Sequence, residues 1–301
     1  MKRNALFLKR NLPLHLMLVP GIIFTILFAY VPMTGIVLAF QSFVPGRGLF
    51  GSDWVGFDNF SYLFNLPGIY QVIYNTVFIA VMKIIAGLIV PIAAALLLNE
   101  MRIRFLKRTV QTLIYLPHFL SWVILGGILI DVLSIDGGIV NRFIEWLGFK
   151  SVFFLGSNQW FPFTLVATDV WKDFGFSTII YMAAITAIDP TTYEAAHIDG
   201  AGRWRQTLRI TLPGIAPTIV LLSVLSLGSI LNAGFEQVFI LYSPSVYSSG
   251  DIIDTMLYRL AFMDAQYSVA TAVGLFKSFI GLFLISSSYW LAYRFANYRI
   301  F

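Results

Sequence analysis

The stretch at residues 194–213, EAAHIDGAGRWRQTLRITLP, decides how this chain is read. It is polar, basic and helix-forming, and apolar runs long enough to cross a membrane lie on both sides of it. Asp189-Pro190 comes just before it. Proline fits the first helical position, where its missing N–H would have no partner in any case. Thr191 and Glu194 have the spacing of a capping box, in which each side chain satisfies a free backbone N–H of the other. Ala195 and Ala196 favour helix. Gly200 and Gly202 are expected to bend or break it, and residues 203–210 to resume it with Trp204, Leu208 and Thr211 on one face. Leu212-Pro213 is expected to stop this second helix at the next span. Two short helices would then meet at a glycine elbow. Small alanines let a partner surface approach closely, while Glu194 and the arginines offer directional contacts. The same residues also suit an amphipathic helix lying on the bilayer, with Trp204 toward lipid and the arginines toward phosphate.

The surroundings say where such an elbow sits. The chain has 301 residues, 58% of them hydrophobic and only 12% charged, and its mean hydropathy is +0.80. Soluble domains carry about 25% charged residues, so the composition is that of a polytopic membrane protein. The absence of cysteine excludes disulfides, iron–sulfur clusters and thiolate zinc sites. His15, His118 and His197 are too scattered to suggest a metal centre. The net charge of +5 is explained by position rather than by a nucleic-acid partner. Lys2, Arg3, Lys9 and Arg10 precede an apolar run over about 14–40, longer than the roughly 7–15 residues of a signal-peptide core. An uncleaved first span is expected.

Further runs follow at about 71–98, 110–133, 162–186, 214–242 and 270–293, each reaching the roughly 20 residues a spanning helix needs. Pro20, Pro32, Pro91, Pro117 and Pro217 lie in or near these runs, where neighbouring helices can satisfy the freed carbonyls. With six spans both termini share a side. Basic residues cluster in the N-terminal tail, at Arg102, Arg104, Lys107 and Arg108, at Arg203, Arg205 and Arg209, and at Arg294 and Arg299. The opposite loops hold only Arg47, Arg142, Lys150 and Arg259. Positively charged loops remain cytoplasmic, so both termini and the 187–213 loop are expected there. The outer loops (41–70, 134–161 and 243–269) carry Trp54, Phe57, Phe60, Tyr62, Trp146 and Trp160. These suit an interfacial aromatic belt or a surface for an external partner.

With these residues in view, the loop resembles the signature of the permease subunits of bacterial ABC importers: EAA, three residues, G, nine residues, then I-x-L-P. Glu194, Ala195, Ala196, Gly200, Ile210, Leu212 and Pro213 match without a gap. Tyr193 and Asp199-Gly200-Ala201 are similar to the carbohydrate branch, as are Trp171-Lys172 with Phe174, and Gly138 with Asn141. The segment 232–276 resembles a subgroup that imports polysaccharide-derived oligosaccharides. One departure is Ser243-Pro244-Ser245, where sugar permeases often have Gly-Gly-Pro. The resemblance implies an all-α fold of six transmembrane helices, the type I importer permease fold. It covers a core at 70–295, preceded by a tail, first helix and outer loop at 1–69 and followed by a short cytoplasmic tail at 296–301.

The same resemblance implies that Glu194, Ala195, Ala196, Asp199, Gly200, Ala201, Arg203, Ile210, Leu212 and Pro213 couple the chain to a separate ATPase. The implied assembly sits in the bacterial cytoplasmic membrane. It has two copies of an ATP-binding subunit, a second permease chain that is different rather than identical, and an external or periplasmic solute-binding protein. The chain lacks the G-x-x-x-x-G-K-[ST] phosphate loop. No cofactor is therefore expected on this chain, ATP and Mg belonging to the partner subunits, and no nucleic acid is expected.

Ionisable residues inside spans cost about 2.5–3.5 kcal/mol each at the bilayer centre, so they face a cavity or a partner. Lys83, Asp131, Asp169, Lys172, Asp173, Glu236 and Lys277 lie in or near spans. Lys172 can neutralise either Asp169 or Asp173 at helical spacing. Asp131 and Glu236, near span ends, are expected at the interface. A sugar path needs polar groups for hydroxyls and aromatic walls for ring faces. The candidates are Trp122, Asp169, Trp171, Lys172, Asp173, Tyr181, Asn232, Phe235 and Glu236. The competing function is an ion-coupled secondary carrier with Lys83, Asp169 and Asp173 as its relay, for which no inverted repeat speaks. An intramembrane enzyme finds no catalytic constellation.

Overall fold

The computed structural model describes the backbone of residues 2–228 and 230–296, and the side chains of 12, 14–228, 230–290 and 294. The basic N-terminal residues and Arg299, used above for orientation, lie outside the described side chains. The chain divides into two compact units, residues 1–66 with 260–275, and 67–259 with 276–301.

The smaller unit begins with helix α1 (Lys2–Thr25), which runs through a π-turn at Ile26–Tyr30 into a 3-10 stretch, Thr34–Phe40. Only 6% of its apolar window is buried, as for a helix whose surroundings are lipid or another chain. Strands β1 (Gln41–Ser42) and β2 (Asp53–Trp54) pair antiparallel, a small addition to the expected all-α fold. Helix α2 (Asp58–Asn65) follows. Asn59 donates to the carbonyls of Ala39 and Gln41 at 2.9 and 3.0 Å, and Phe40 stacks on Trp54. The backbone N–H of Phe43 donates to Ser268 Oγ at 2.9 Å.

The larger unit is built on α3 (Ile69–Glu100) and α7 (Phe161–Thr186), which pack along one another. Between them in sequence lie α4 (Arg104–Tyr115), α5 (Trp122–Val132) and α6 (Ile139–Trp146). After them come α8 (Pro190–Ile198), α9 (Arg203–Gly228), α10 (Phe235–Leu241), α11 (Ile253–Tyr258) and, from residue 276 on, the rest of α12 (Tyr267–Ala296), whose start belongs to the smaller unit. Two apolar clusters hold the unit. One joins Ile79, Leu129, Phe161, Leu165, Val238 and Ile252; the other joins Ala95, Leu98, Tyr181, Met182, Ile185 and Ile215. At Gly175 the helices come so close that a Cβ would stand 2.0 Å from the Ile114 carbonyl oxygen. No residue but glycine fits that approach.

Among the described residues four helices are long and apolar enough to cross a membrane, and a bent pair raises the number to five. α7 has the length, at 26 residues, but carries the charged Asp169, Lys172 and Asp173 along its middle. Two expected spans and one expected helix stop differ in the structure. The run at 110–133 is not continuous: its halves meet at 108°. Pro117 lacks the N–H to continue the helix, and Ser121 caps a new one by accepting from the Ile124 N–H. The run at 214–242 stops at Gly228 and resumes at Phe235. Finally, Leu212-Pro213 does not stop a helix. α9 passes straight through it, because a π-turn at Thr207–Thr211 precedes the proline and the Leu212 N–H reaches back to the Thr207 carbonyl. Such a turn, bonded over five residues, absorbs a local mismatch without ending the helix.

Candidate functional site

Two regions of the larger unit gather the polar residues: an elbow between α8 and α9, and a cavity between α3, α7 and the interruption that follows α9.

At the elbow, Pro190 occupies the first turn of α8, and the cap is Asp189, whose carboxylate accepts from the Thr191 N–H at 2.9 Å. That backbone hydrogen bond holds the Asp189 carboxyl below the usual carboxylate range. The expected Thr191–Glu194 box is not the cap: Asp189 sits two residues nearer the start and takes the free N–H first. α8 ends in a Schellman turn. Ala201 N–H donates to Ala196 O at 2.8 Å, Gly200 N–H to His197 O at 3.0 Å, and Gly200 takes φ +76°. The bend belongs to Gly200, since Gly202 has ordinary extended backbone.

Glu194, Ala195, Asp199 and Ile198 are exposed, and Ala196 is half-buried. Behind this outward face the elbow is tied to its own chain. Tyr193 Oη and Thr211 Oγ1 are 2.9 Å apart, Gln206 donates to Ala201 O at 2.8 Å, and Arg203 pairs with Glu100 at the end of α3 at 2.7 Å. Arg203 is thus engaged within the chain. Leu212 packs against the second apolar cluster, Ile210 is half-buried, and Pro213 is exposed.

The cavity has a volume of about 340 Å³ and is lined by Lys83, Gly87, Asp169, Asp173, Ser177, Ser226, Asn232 and Gly234, among others. Lys83 on α3 pairs with Asp169 on α7 at 2.8 Å. Its ammonium also donates to the Ala233 carbonyl at 2.8 Å and to Gln237 Oε1. Gln237, fully buried, donates onward to Leu165 O at 2.8 Å and Thr168 Oγ1 at 2.7 Å. Asp173 accepts from or pairs with His118 at 2.8 Å, and His118 stacks on Phe176. Lys172 donates to the His118 carbonyl at 3.0 Å and lies 3.7 Å from Asp173.

Of the nine sequence candidates for a sugar path, Asp169, Asp173 and Asn232 line this cavity. Trp122 is half-buried against the first apolar cluster with Lys172 over its ring. Lys172 itself is buried and committed to the backbone. Trp171 and Glu236 are exposed elsewhere, Tyr181 belongs to the second cluster, and Phe235 stacks on Phe239. Asp131 is exposed. Of the two carboxylates Lys172 was expected to reach, the structure sets it near Asp173, while Asp169 is paired with Lys83 from a different helix. The lining residues absent from that list are Lys83, Gly87, Ser177, Ser226 and Gly234. A signal existed for part of it, because Asp169, Asp173 and Ser177 recur every four residues on α7. Among the described residues no group of three or more His, Asp or Glu could hold a metal ion.

An exposed elbow joined by one long helix to a helix-lined polar cavity is the arrangement of a membrane-spanning transport subunit. Residues 84–297 match the family of binding-protein-dependent transport system inner membrane components. The chain belongs to that family and is a permease subunit of an ABC importer. It is 43% identical, over all of its length and 94% of the relative's, to the polygalacturonan/rhamnogalacturonan transport system permease protein YteP of Bacillus subtilis. Protein LplB of the same organism is 40% identical over 98% of this chain and 92% of its own. A crystal structure of a bacterial ABC transporter involved in import of the acidic polysaccharide alginate superimposes with a TM-score of 0.90 at 38% identity, covering 97% of this chain and 99% of that one. A second structure, of the alginate transporter with an alginate pentasaccharide-bound periplasmic protein, gives 0.87 at 39% identity over 95% and 96%. The type I permease fold is therefore that of this chain.

Proposed function

We propose that this chain forms half of the membrane pathway by which polysaccharide-derived oligosaccharides enter a bacterial cell, driven by ATP hydrolysed on separate subunits. Of two copies of an ATP-binding subunit, carrying the ATP and Mg, one would dock on the exposed Glu194–Asp199 face of this elbow and the other on the second permease; this chain would carry no ATPase site of its own. A second, different permease chain would complete the pathway wall, and an external or periplasmic binding protein would deliver the sugar to the outer loops. The distribution of Lys and Arg supports both termini and the elbow facing the cytoplasm of the bacterial cytoplasmic membrane.

One observation carries this reading. The helix that begins at the elbow is the helix that reaches the cavity: α9 runs unbroken for 26 residues from Arg203 to Gly228, about 39 Å at the helical rise, and Ser226 near its far end lines the cavity. A push on Gly200 would arrive at the site as a movement of one rod. The cavity lining is rich in acceptors and small residues, which suits sugar hydroxyls approaching closely.

The test reconstitutes the complete transporter in proteoliposomes and supplies oligogalacturonides, alginate oligosaccharides and, for comparison, neutral malto-oligosaccharides. Accumulation should require ATP and the binding protein, and should persist with an uncoupler. Uptake that collapses with the uncoupler while ATP is held constant would replace this reading with an ion-coupled carrier using Lys83, Asp169 and Asp173.

A further inference from the structure

The interruption between α9 and α10 frees backbone polar groups from a helical ladder within an otherwise apolar run, and non-helical backbone of that kind is tolerated where it is buried in protein or lines a cavity. Ala233 is fully buried, and its carbonyl accepts from Lys83. Gly234 follows with φ +91°, and a Cβ there would stand 2.7 Å from Lys83 Nζ. An ammonium has three donors and no acceptor. All three are engaged: on Asp169, on the Ala233 carbonyl and on Gln237. Gln237 spends its amide donors on Leu165 O and Thr168 Oγ1 of α7. The knot thus joins α3, α7, the interruption itself at Ala233, and α10 through Gln237.

A saturated, nine-tenths buried ammonium is badly placed to bind a passing ligand and well placed to hold a shape. We infer that Lys83 is a positioning residue for transport: it fixes the non-helical turn at Ala233-Gly234 and so keeps Asn232 and the Asp169 carboxylate on the cavity wall. This deepens the proposed pathway without depending on which sugar uses it, because the position of Asn232 can be read with no sugar present. The inference separates two roles for Lys83. If it served only to balance the charge of Asp169, removing both charges together would restore the site. If it holds the turn, the Ala233 carbonyl and Gln237 stay without their donor, and the double replacement does not restore it.

The chain contains no cysteine, so Asn232→Cys gives it a single thiol. The assembled transporter, with partner cysteines replaced, is treated with a polar methanethiosulfonate reagent, without substrate, in the parent, Lys83→Met, Lys83→Met/Asp169→Asn and Gln237→Leu backgrounds. Lys83→Met should change the modification rate by about tenfold or more, the double variant should stay changed, and Gln237→Leu should shift the rate the same way by less. An unchanged rate in Lys83→Met, or a parental rate in the double variant, would overturn the inference. Should the Lys83 variants fail to assemble, Gln237→Leu decides alone, since it leaves the Lys83–Asp169 pair in place: an altered rate supports the turn-holding role and a parental rate rejects it. A parent complex that imports none of the oligosaccharides would sink the proposed function while leaving these rates readable.

Discussion

The elbow and the cavity solve the same problem, placing polar groups on a mostly apolar chain, in opposite ways. At the elbow the backbone donors of the cap and the turn are served from within a few residues: Asp189 accepts from Thr191, and Ala196 and His197 accept from Ala201 and Gly200. Around the cavity each partner comes from far along the chain. Lys83 meets Asp169 across 86 residues and Gln237 across 154. Local satisfaction makes the elbow a separable part, whose changes should disturb communication before they disturb folding. Long-range satisfaction makes the cavity wall and the fold one object, so changes there should disturb both.

That contrast breaks if the largest effect on stability comes from the elbow. Lys83→Met leaves the Asp169 carboxylate, half-buried on the cavity wall, without its partner, and should cost about 3 kcal/mol, read as loss of assembled protein in thermal unfolding in detergent. Gly175→Ala should cost about 1–3 kcal/mol by overpacking, because its Cβ would meet the Ile114 carbonyl at 2.0 Å. At the elbow, Gly200→Val should leave the melting temperature within a few degrees of the parent, yet remove substrate-stimulated ATP hydrolysis, since a β-branched residue resists φ +76°. Smallest of all, Glu100→Ala breaks an ion pair whose side chains are 44% and 56% exposed. It should cost under about 1 kcal/mol, and it sharpens the comparison by showing whether the tie between α3 and the elbow carries motion or merely decorates the surface.

The two regions were also unequally visible from residues alone. The elbow could be read because its determinants are contiguous: Pro190, the alanines and Gly200 impose their shapes locally. What was misread there followed from competition between neighbours, as Asp189 took the cap that Thr191 was expected to take. Pro213 was expected to end a helix, and the π-turn before it carried the helix through. Around the cavity, Asp169 and Asp173 were recognisable because charge inside a span is costly, but their partners were not. Nothing local says that Lys83 reaches Asp169 while Lys172 turns to a backbone carbonyl. The interruption at 230–234 was hidden inside an apolar run, where hydropathy cannot distinguish a continuous helix from one whose open carbonyls are served by a distant lysine. The bend at Leu120-Ser121 was masked in the same way, although Pro117 marked its place.

The central claim is that work done on the elbow arrives at the cavity through α9. It is tested most directly by following the Asn232→Cys thiol in the reconstituted transporter with and without ATP, in the parent and with Gly200→Val. The account predicts that ATP alters the modification rate in the parent and leaves it unmoved with Gly200→Val. A nucleotide response that survives Gly200→Val undiminished would contradict it.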